Sequence, residues 1–455
     1  MTEFRSFDPT SGRFVLDRPE ATPAELEAAL ARSAAAARAW ARTPMAERAA
    51  TLRRLGGVLR ARAAQDGLLM AEEMGKPAAQ GKAEAEKCAW ACEFAADHAE
   101  AWLAPEVIAT EARSSYVRRD PMGAILAVMP WNFPFWQVFR FGASALAAGN
   151  VIVLKHAPNV PRCAEAIVEI FAQAGVPEGV LVSVNAAVRD IPRLIEDPRV
   201  AAVTLTGSTR AGQAVAEVAG RALKPSVLEL GGSDPFIVLP DADLDRAADF
   251  AARARLQNNG QSCIAAKRFI VVKDVAEAFI ERFAAALAAH TVGDPREAST
   301  RVGPMARRDL RDELARQVDR SVAAGARRVL GGAARAGDGF FYAPTLLAGA
   351  GPGMAAWDEE TFGPCAAVRA VPSVEAAVEA ANDTVFGLGA TLFTADLELA
   401  ARVAGQLECG AVFVNDMVRS DPRMPFGGTK QSGWGRELGR EGMQQFTHTR
   451  SVWIA

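Results

Sequence analysis

The spacing of apolar residues changes once along the chain. From Thr22 to Leu103, apolar residues recur at steps of three and four, which predicts several amphipathic helices whose charged faces are solvated. Thr22, followed by Pro23 and Glu25, predicts a capping box at the start of the first helix. From about Tyr116, short β-rich runs alternate with helical stretches. This alternation predicts βαβ units around a parallel sheet, and therefore an α/β fold.

Two series of predicted strands divide the chain into two α/β halves. The first half ends near Leu230, and the second runs to about Gly439. The first series comprises β-rich runs at 116–130, 151–156, 180–185, 201–208 and 227–239, with helices at 162–174 and 210–221. The second comprises strands near 268–273, 364–371 and 411–415, with a helix at 275–290. The tail at 449–455 is strand-like and short, so we expect it to pair with another element or another subunit.

Composition narrows the classes of partner. The 455-residue chain is long enough for two or more structural units. Its 51 basic and 54 acidic residues give a net charge of −3, which offers no electrostatic basis for binding nucleic acid or an anionic membrane. No export signal is evident, and no window approaches the roughly 18 consecutive apolar residues of a membrane span. Six cysteines without disulfide-framework or zinc-knuckle spacing favour a reducing cytoplasm and predict no metal site.

Three short runs each contain one polar side chain that could take part in catalysis. Cys263 follows small and polar residues, which is the setting of a reactive thiol, although most free cysteines are small buried hydrophobes. Asn132 lies in PWNFP, where a rigid amide can donate to an oxyanion; an asparagine that satisfies the turn before Pro134 is the alternative. Glu229 lies between two leucines, where apolar surroundings raise the pKa of a base; an outward residue of a half-buried strand is the alternative.

Two predicted strand ends carry groups suited to a phosphate-bearing ligand. Lys155 ends the run VIVLK, and Gly207 and Ser208 lie between a strand and a helix. Open α/β sheets bind ligands at the carboxyl ends of their strands, and a helix N-terminus can present amides to a phosphate. The spacing is not G-x-G-x-x-G, so a solvated strand-end lysine and an ordinary N-cap stay open as alternatives.

Seven motifs occur in an order that resembles the NAD(P)-dependent aldehyde dehydrogenase superfamily over nearly the whole chain. They are PWNFP (130–134), VLKHAPN (153–159), LTGSTRAG (205–212), LELGGSDPF (228–236), NNGQSC (258–263), EETFGP (359–364) and PFGGTKQSG (425–433). Within the superfamily, the chain is most similar to the bacterial succinate-semialdehyde dehydrogenases. The segments that carry this likeness are 155–167, 228–244 and 303–314.

The resemblance implies a three-part architecture. It consists of a Rossmann-like cofactor domain, an α/β catalytic domain and a small oligomerisation β-element. The implied boundaries are 1–102 and 122–230 for the NAD(P)-binding domain, 231–439 for the catalytic domain, and 103–121 with 440–455 for the oligomerisation element. A homodimer or homotetramer is then expected.

The resemblance also implies roles for the three polar side chains. Cys263 attacks an aldehyde to form a thiohemiacetal, whose oxyanion is held by the Asn132 amide and the backbone N–H of Cys263. Hydride transfer to the nicotinamide gives a thioester. Glu229 then activates water to release a carboxylic acid, and its presence argues against the branch that transfers the acyl group to coenzyme A.

The resemblance implies that NAD or NADP is the cofactor. The cofactor-binding residues that it implies are Lys155, Gly207, Ser208, Glu360, Phe362 and Trp131. NAD-preferring relatives often have a glutamate three residues after that lysine, where it would repel a 2′-phosphate. This chain has Pro158 at that position, so we expect NADP to be tolerated or preferred.

The predicted substrate is a short ω-carboxy aldehyde, chiefly succinate semialdehyde. Arg140 matches an arginine that these enzymes use for the carboxylate, Ser420 matches a serine of the substrate loop, and Arg419 or Arg423 could add charge. Some members have a second arginine six residues before the nucleophile, and this chain has Gln257 at that position. Another aliphatic or aromatic aldehyde therefore stays open as the substrate. From other classes, the alternatives are a cofactor-independent cysteine esterase and an inactive binding protein.

Overall fold

Two mainly parallel sheets carry the two predicted series of strands. The computed structural model describes residues 4–455. Its strands are β1 (Phe4–Phe7), β2 (Phe14–Arg18), β3 (Glu106–Val107), β4 (Ser114–Pro121), β5 (Ala124–Val128), β6 (Val151–Lys155), β7 (Leu181–Ser183), β8 (Val200–Thr206), β9 (Ser226–Glu229), β10 (Asp234–Val238), β11 (Ala266–Val272), β12 (Arg327–Leu330), β13 (Thr345–Ala348), β14 (Cys365–Val371), β15 (Phe386–Gly387), β16 (Gly389–Phe393), β17 (Ala411–Val414), β18 (Thr429–Lys430), β19 (Gly433–Trp434) and β20 (Thr447–Ile454).

Helices occupy the N-terminal scaffold and the connections between strands. They are α1 (Pro23–Trp40), α2 (Met45–Met74), α3 (Ala78–Leu103), α4 (Trp136–Ala147), α5 (Pro161–Gln173), α6 (Ile191–Glu196), α7 (Thr209–Arg221), α8 (Leu244–Leu256), α9 (Lys273–Ala288), α10 (Arg308–Ala323), α11 (Ala355–Asp358), α12 (Val374–Asn382), α13 (Leu397–Ala404) and α14 (Gly439–Gln445). Short 3₁₀ segments lie at Val188–Asp190 and Gln257–Gly260. Among the helices of residues 4–455, none is both long and apolar enough to cross a membrane.

The N-terminal helices form as predicted. The Thr22 hydroxyl accepts a hydrogen bond from the backbone N–H of Glu25 at 3.2 Å, and the Glu25 carboxylate accepts one from the backbone N–H of Thr22 at 2.7 Å. This reciprocal pair is the predicted capping box, and it satisfies amides that the first turn of a helix leaves unpaired. The buried faces of α1 to α3 join the first sheet in one hydrophobic core.

The first sheet has six strands in the order β19-β9-β8-β5-β6-β7. β9, β8, β5, β6 and β7 run parallel, and the edge strand β19 runs antiparallel to β9. The predicted α/β fold with a parallel sheet is therefore confirmed. β19 comes from the glycine-rich segment near the C-terminus, so this segment reaches the edge of the N-terminal sheet.

The second sheet has seven strands in the order β12-β13-β14-β11-β10-β16-β17. All neighbours are parallel except β12, which runs antiparallel to β13. Both faces are buried: Ile237 and Ile270 enter one core, and Phe236 and Phe269 enter the other. Apolar residues on both faces explain why these strands appear as continuous apolar runs.

The β-rich run at 227–239 is two strands that belong to different sheets. β9 ends at Glu229 in the first sheet, and β10 begins at Asp234 in the second. The chain crosses between the sheets over the four residues from Leu230 to Ser233. A Cβ atom at Gly231 would overlap the Glu360 carboxylate, so glycine lets this side chain approach the crossing closely. Glu229 therefore lies at the crossing between the two sheets.

The strand-like tail pairs within its own chain. β20 runs antiparallel to β4 along its whole length, from Thr447 opposite Pro121 to Ile454 opposite Ser114. β3 pairs with the other side of β4, so β20 is an edge strand of this three-stranded sheet. The expectation that the tail pairs with another element is confirmed.

Candidate active site

A cavity of about 570 Å³ opens beside Cys263. Its walls come from α3, α4, α8 and the loop that follows β17, and its lining includes Lys87, Trp136, Arg140 and Ser420. The two residues predicted to bind the substrate, Arg140 and Ser420, thus line the same cavity as the predicted nucleophile.

Cys263 lies on a loop, here called the cysteine loop (residues 257–265), whose backbone is partly left-handed. Asn258 has φ 54° and ψ 41°, a region that asparagine tolerates better than most residues with a side chain. Its side-chain amide donates to the backbone carbonyl of Asn132 at 2.7 Å and to that of Gln261 at 3.0 Å. The asparagine therefore holds the turn before the cysteine and ties it to the PWNFP segment.

The next two residues anchor the cysteine loop on its other side. Asn259 has φ 58°, and its side-chain amide donates to the backbone carbonyls of Gly75 at 2.7 Å and Pro304 at 2.9 Å. Gly260 has φ 75°, and a side chain there would collide with the backbone of Gly363 in the EETFGP segment. Glycine at this position lets the two segments meet.

The Cys263 thiol is half-buried, and its surroundings favour the protonated form over the thiolate. Burial raises its pKa to about 12, while the positive charges of Arg140 and Lys267 oppose the rise. The Lys267 ammonium donates to the backbone carbonyls of Ser262 at 3.1 Å and Cys263 at 2.8 Å, so it holds the backbone of the cysteine loop in place. A thiol in this state must lose its proton before or as it attacks a carbonyl carbon.

Asn132 points its amide toward the cysteine loop. The buried side chain donates to the backbone carbonyl of Gln261 at 3.1 Å, and its Oδ1 atom makes no hydrogen bond among the described residues. The alternative, in which the side chain satisfies the turn before Pro134, is therefore wrong. An amide nitrogen carries two hydrogens, so one is available to a ligand.

Glu229 is buried beside a buried arginine. The carboxylate is the last side chain of β9 and is 2% exposed, so the alternative of an outward-facing strand residue is wrong. Its Oε2 atom lies 3.7 Å from Nη2 of Arg140. Burial raises the pKa of Glu229 well above its ordinary range; Glu437 adds to the rise, and Arg140 opposes it. A carboxylate with a raised pKa is suited to take up a proton near neutral pH.

Glu437 is a site residue that sequence reasoning missed. Its carboxylate forms an ion pair with Nε of Arg140, and burial raises its pKa. Arg140 also donates to the Thr206 hydroxyl at 3.2 Å and lies 4.7 Å from the centre of the Phe426 ring. The available signal was Arg140 itself, because a guanidinium in an otherwise apolar helix needs a counterion. The predicted role of Arg140 toward a substrate stays a prediction.

Three predicted cofactor residues lie at the carboxyl ends of β6 and β8, the two strands that flank β5 in the first sheet. Lys155 ends β6, and at 6% exposure it is buried, so the alternative of a solvated lysine is wrong. Gly207 and Ser208 follow β8, and Ser208 caps α7 by accepting from the backbone N–H of Ala211 at 3.3 Å. The N-cap alternative is thus present, and it leaves the partial positive charge of the helix end facing this edge of the sheet.

The other predicted cofactor residues, Glu360, Phe362 and Trp131, make contacts between segments that are distant in sequence. The Glu360 carboxylate accepts from the backbone N–H of Gly232 at 3.1 Å and lies 3.4 Å from the Lys267 ammonium. The rings of Trp131 and Phe362 meet edge to face with their centres 5.7 Å apart. The EETFGP and PWNFP motifs, distant in sequence, are therefore in contact.

The substrate loop brings Ser420 into a cluster of donors. Its hydroxyl oxygen accepts from the Lys87 ammonium at 2.8 Å and from the Trp136 indole N–H at 3.1 Å. The two flanking arginines are already paired. Arg419 and Arg423 form ion pairs with Asp416 at 2.9 Å and Asp421 at 2.7 Å, respectively. Gln257 also lines the cavity.

Comparison with known proteins decides the family. A model of the aldehyde dehydrogenase family matches residues 1–452. The chain belongs to the aldehyde dehydrogenase family. Among its relatives, the dehydrogenase is 48% identical over 448 residues to succinate semialdehyde dehydrogenase [NAD(P)+] Sad of Escherichia coli strain K12, covering 98% of this chain and 97% of that protein.

Solved structures agree with this assignment. The dehydrogenase superimposes on the structure of Gox0499 with a TM-score of 0.98 and 38% identity, covering 100% of both chains. It superimposes on succinic semialdehyde dehydrogenase from Streptococcus pyogenes, solved in complex with NADP+, with a TM-score of 0.97 and 34% identity, covering 99% of both chains. The fold expected from the motifs is confirmed.

Substitution of Gly260 tests the contact between the cysteine loop and the EETFGP segment. Gly260→Ala combines a left-handed residue, costing about 1 kcal/mol, with a backbone collision. We expect it to lower the melting temperature of the dehydrogenase more than Gly349→Ala does. Gly349 is the matched control because it has φ 70° with no atom within 4 Å of the added carbon. Equal losses in the two variants would mean that the contact is unimportant.

Proposed function

We propose that this dehydrogenase uses NAD or NADP to oxidise a short ω-carboxy aldehyde, chiefly succinate semialdehyde, to the dicarboxylic acid. The observation that supports this best is one cavity that joins the Cys263 thiol to a cluster of donors around Ser420. A thiol at one end suits an aldehyde, and clustered donors at another wall suit a carboxylate. The names of the relatives agree with this substrate.

Cys263 is the proposed nucleophile. Its sulfur bonds to the aldehyde carbon as the thiol proton passes to solvent through the cavity, and the carbonyl π electrons move to oxygen. The resulting oxyanion would accept hydrogen bonds from the free amide hydrogen of Asn132 and from the backbone N–H of Cys263. The hydrogen bond from Asn132 to Gln261 holds the amide rigid at 3.1 Å, which supports a fixed donor.

The described residues fit a dinucleotide. A buried ammonium at Lys155, a helix N-terminus after Gly207 and Ser208, and the carboxylate of Glu360 offer the donor and acceptor set that ribose hydroxyls and phosphates require. Trp131 and Phe362 would flank the nicotinamide end. The nicotinamide, when bound, accepts a hydride.

Glu229 is the proposed base for release of the acid. Its raised pKa lets it take a proton from a water molecule, whose oxygen then bonds to the thioester carbon while the Cys263 sulfur leaves with its electron pair. Arg140 holds the Glu229 carboxylate within the same buried cluster as Glu437. The carboxylic acid is then free to leave.

We propose that NADP is accepted, and that it is used at least as well as NAD. Pro158, which is half-buried three residues after Lys155, places no carboxylate where a 2′-phosphate would lie. The cofactor named for the Streptococcus pyogenes structure, NADP+, agrees with this.

Substitutions at Cys263 and Glu229 separate the two proposed steps. Cys263→Ala should lower the rate of NAD(P)H formation on the order of 10³-fold or more, because the acyl carrier is lost. Glu229→Gln should slow turnover roughly 10²- to 10⁴-fold while keeping an initial burst of NAD(P)H in stopped-flow absorbance, because only release of the acid is blocked. Cys409→Ala is the matched control, since Cys409 is also half-buried and lies outside the cavity. Unchanged NAD(P)H formation in Cys263→Ala would refute the nucleophile.

A substrate panel distinguishes the remaining alternatives. Absorbance of the reduced cofactor is followed for succinate semialdehyde, butanal and benzaldehyde with NAD and with NADP. We expect the highest kcat/KM for succinate semialdehyde. A higher kcat/KM for an uncharged aldehyde would mean that this aldehyde, and not the carboxy aldehyde, is the preferred substrate. Hydrolysis of p-nitrophenyl esters with no oxidation of any aldehyde would favour the cysteine esterase. Neither activity would favour the inactive binding protein.

We also propose that the chain forms a homodimer or homotetramer through its three-stranded sheet. The edge strand β20 exposes Trp453 at 56% and Ile454 at 48%, and an exposed apolar edge strand is a site for pairing. This supports residues 103–121 and 440–455 as an oligomerisation element. The boundaries 1–102 with 122–230 and 231–439 for the other two domains follow the two sheets, apart from β19. Six free cysteines support a cytoplasmic location.

A charged substitution in β20 tests the proposed assembly. Trp453→Lys should shift the mass measured by light scattering toward that of one 48.2 kDa chain. Val188→Lys is the control, because Val188 is 63% exposed and lies far from β20 in sequence. A monomeric wild type, or an unchanged assembly in Trp453→Lys, would contradict the role of this strand.

A further inference from the structure

The cavity beside Cys263 contains a cation that no carboxylate neutralises at close range. Lys87 reaches it from α3, and its ammonium donates to the Ser420 hydroxyl at 2.8 Å. The same ammonium lies 4.3 Å from the centre of the Trp136 ring, so the aromatic face also stabilises its charge. Among residues 4–455, no carboxylate lies within ion-pair distance of Lys87. This charge is available to a ligand.

The arginines that line the cavity either form ion pairs with carboxylates or are exposed to solvent. Arg140, Arg253 and Arg419 form ion pairs with Glu437, Asp249 and Asp416, respectively. Arg301 is exposed, where water and salt weaken its attraction for an anion. Arg140, the residue predicted to bind the carboxylate, also faces Glu229 at 3.7 Å. Its charge is shared between two buried carboxylates before a substrate enters.

The groups around Ser420 offer hydrogens and few acceptors. The Ser420 oxygen accepts from both Lys87 and the Trp136 indole N–H, so its own hydrogen is free to donate. An ammonium has three hydrogens, of which Ser420 takes one. A carboxylate, which only accepts, is the ligand group that complements such a set.

We propose that Lys87, together with Ser420, binds the carboxylate tail of the ω-carboxy aldehyde while Cys263 attacks its other end. Arg140 is then chiefly the counterion that positions Glu229 and Glu437. This inference rests on the proposed function and names the charge that selects its substrate.

The surroundings of Lys87 make this recognition depend on pH. Burial, assisted by the positive charge of Arg140, lowers the pKa of Lys87 to about 8, while Cys88, Asp421 and Glu84 oppose the shift. The ammonium is therefore present below pH 8 and is lost as the pH rises through that value. Selection for a carboxylate over an uncharged tail should weaken over the same range.

Replacement of Lys87 is the first test. Lys87→Met keeps the length of the side chain and removes its charge. We expect the KM for succinate semialdehyde to rise roughly 10- to 100-fold, with kcat within a few-fold and the kinetics with butanal nearly unchanged. Lys82→Met is the matched control, because Lys82 lies on the same helix, is 55% exposed and pairs with Glu86 outside the cavity. Unchanged activity on butanal also shows that the variant is folded.

A second variant gives an independent readout. In the wild type, the ratio of kcat/KM for succinate semialdehyde to that for butanal should fall as the pH rises through about 8. Lys87→Arg keeps a permanent positive charge, so its ratio should stay flat across this range. The ratio removes pH effects that act on both aldehydes, including those of Cys263 and Glu229.

The outcomes separate this inference from the proposed function. A wild type that prefers succinate semialdehyde, with a Lys87→Met variant that keeps that preference, would overturn the role of Lys87 alone. Equal losses with both aldehydes, or a Lys87→Arg ratio that falls like that of the wild type, would do the same. A wild type without any preference for the carboxy aldehyde would overturn the proposed function, and the role of Lys87 with it.

Discussion

A buried guanidinium holds three distant segments of this chain together. Arg140, in the apolar helix α4, pairs with Glu437 and faces Glu229 at the end of β9. Removing one partner of a buried ion pair leaves an uncompensated charge and typically costs about 3–5 kcal/mol. The fold must therefore bring α4, β9 and the segment before α14 to one place. The proposed base and its counterions are thus part of the framework as well as of the chemistry.

Local features of the fold were predictable, and its connections between sheets were not. The capping box at Thr22 depends on residues three positions apart, so the sequence shows it directly. The membership of β9 and β10 in different sheets depends on partners far along the chain, and both strands contain buried apolar residues. β19 has only two residues and therefore carries no periodicity.

The same distinction applies to the site. Cys263 was recognisable because its polar surroundings are contiguous, and the order of the motifs supplied the likeness to aldehyde dehydrogenases. Glu437 escaped notice because Arg140, its partner, lies 297 positions away. Lys87 escaped notice because a lysine in a helix rich in alanine and glutamate is normally solvated. Only the packing of α3 against α4 and the loop that follows β17 places its ammonium beside Ser420.

The crossing at 230–233 separates the two reactive side chains between the two sheets. Glu229 ends a strand of the first sheet, whereas Cys263 precedes β11 of the second. The first sheet is itself completed by β19, near the C-terminus. During synthesis, both Glu229 and Cys263 are therefore added before the residues that form this edge strand. The sheet that carries Glu229 is complete only after Gly433 and Trp434 have joined its edge.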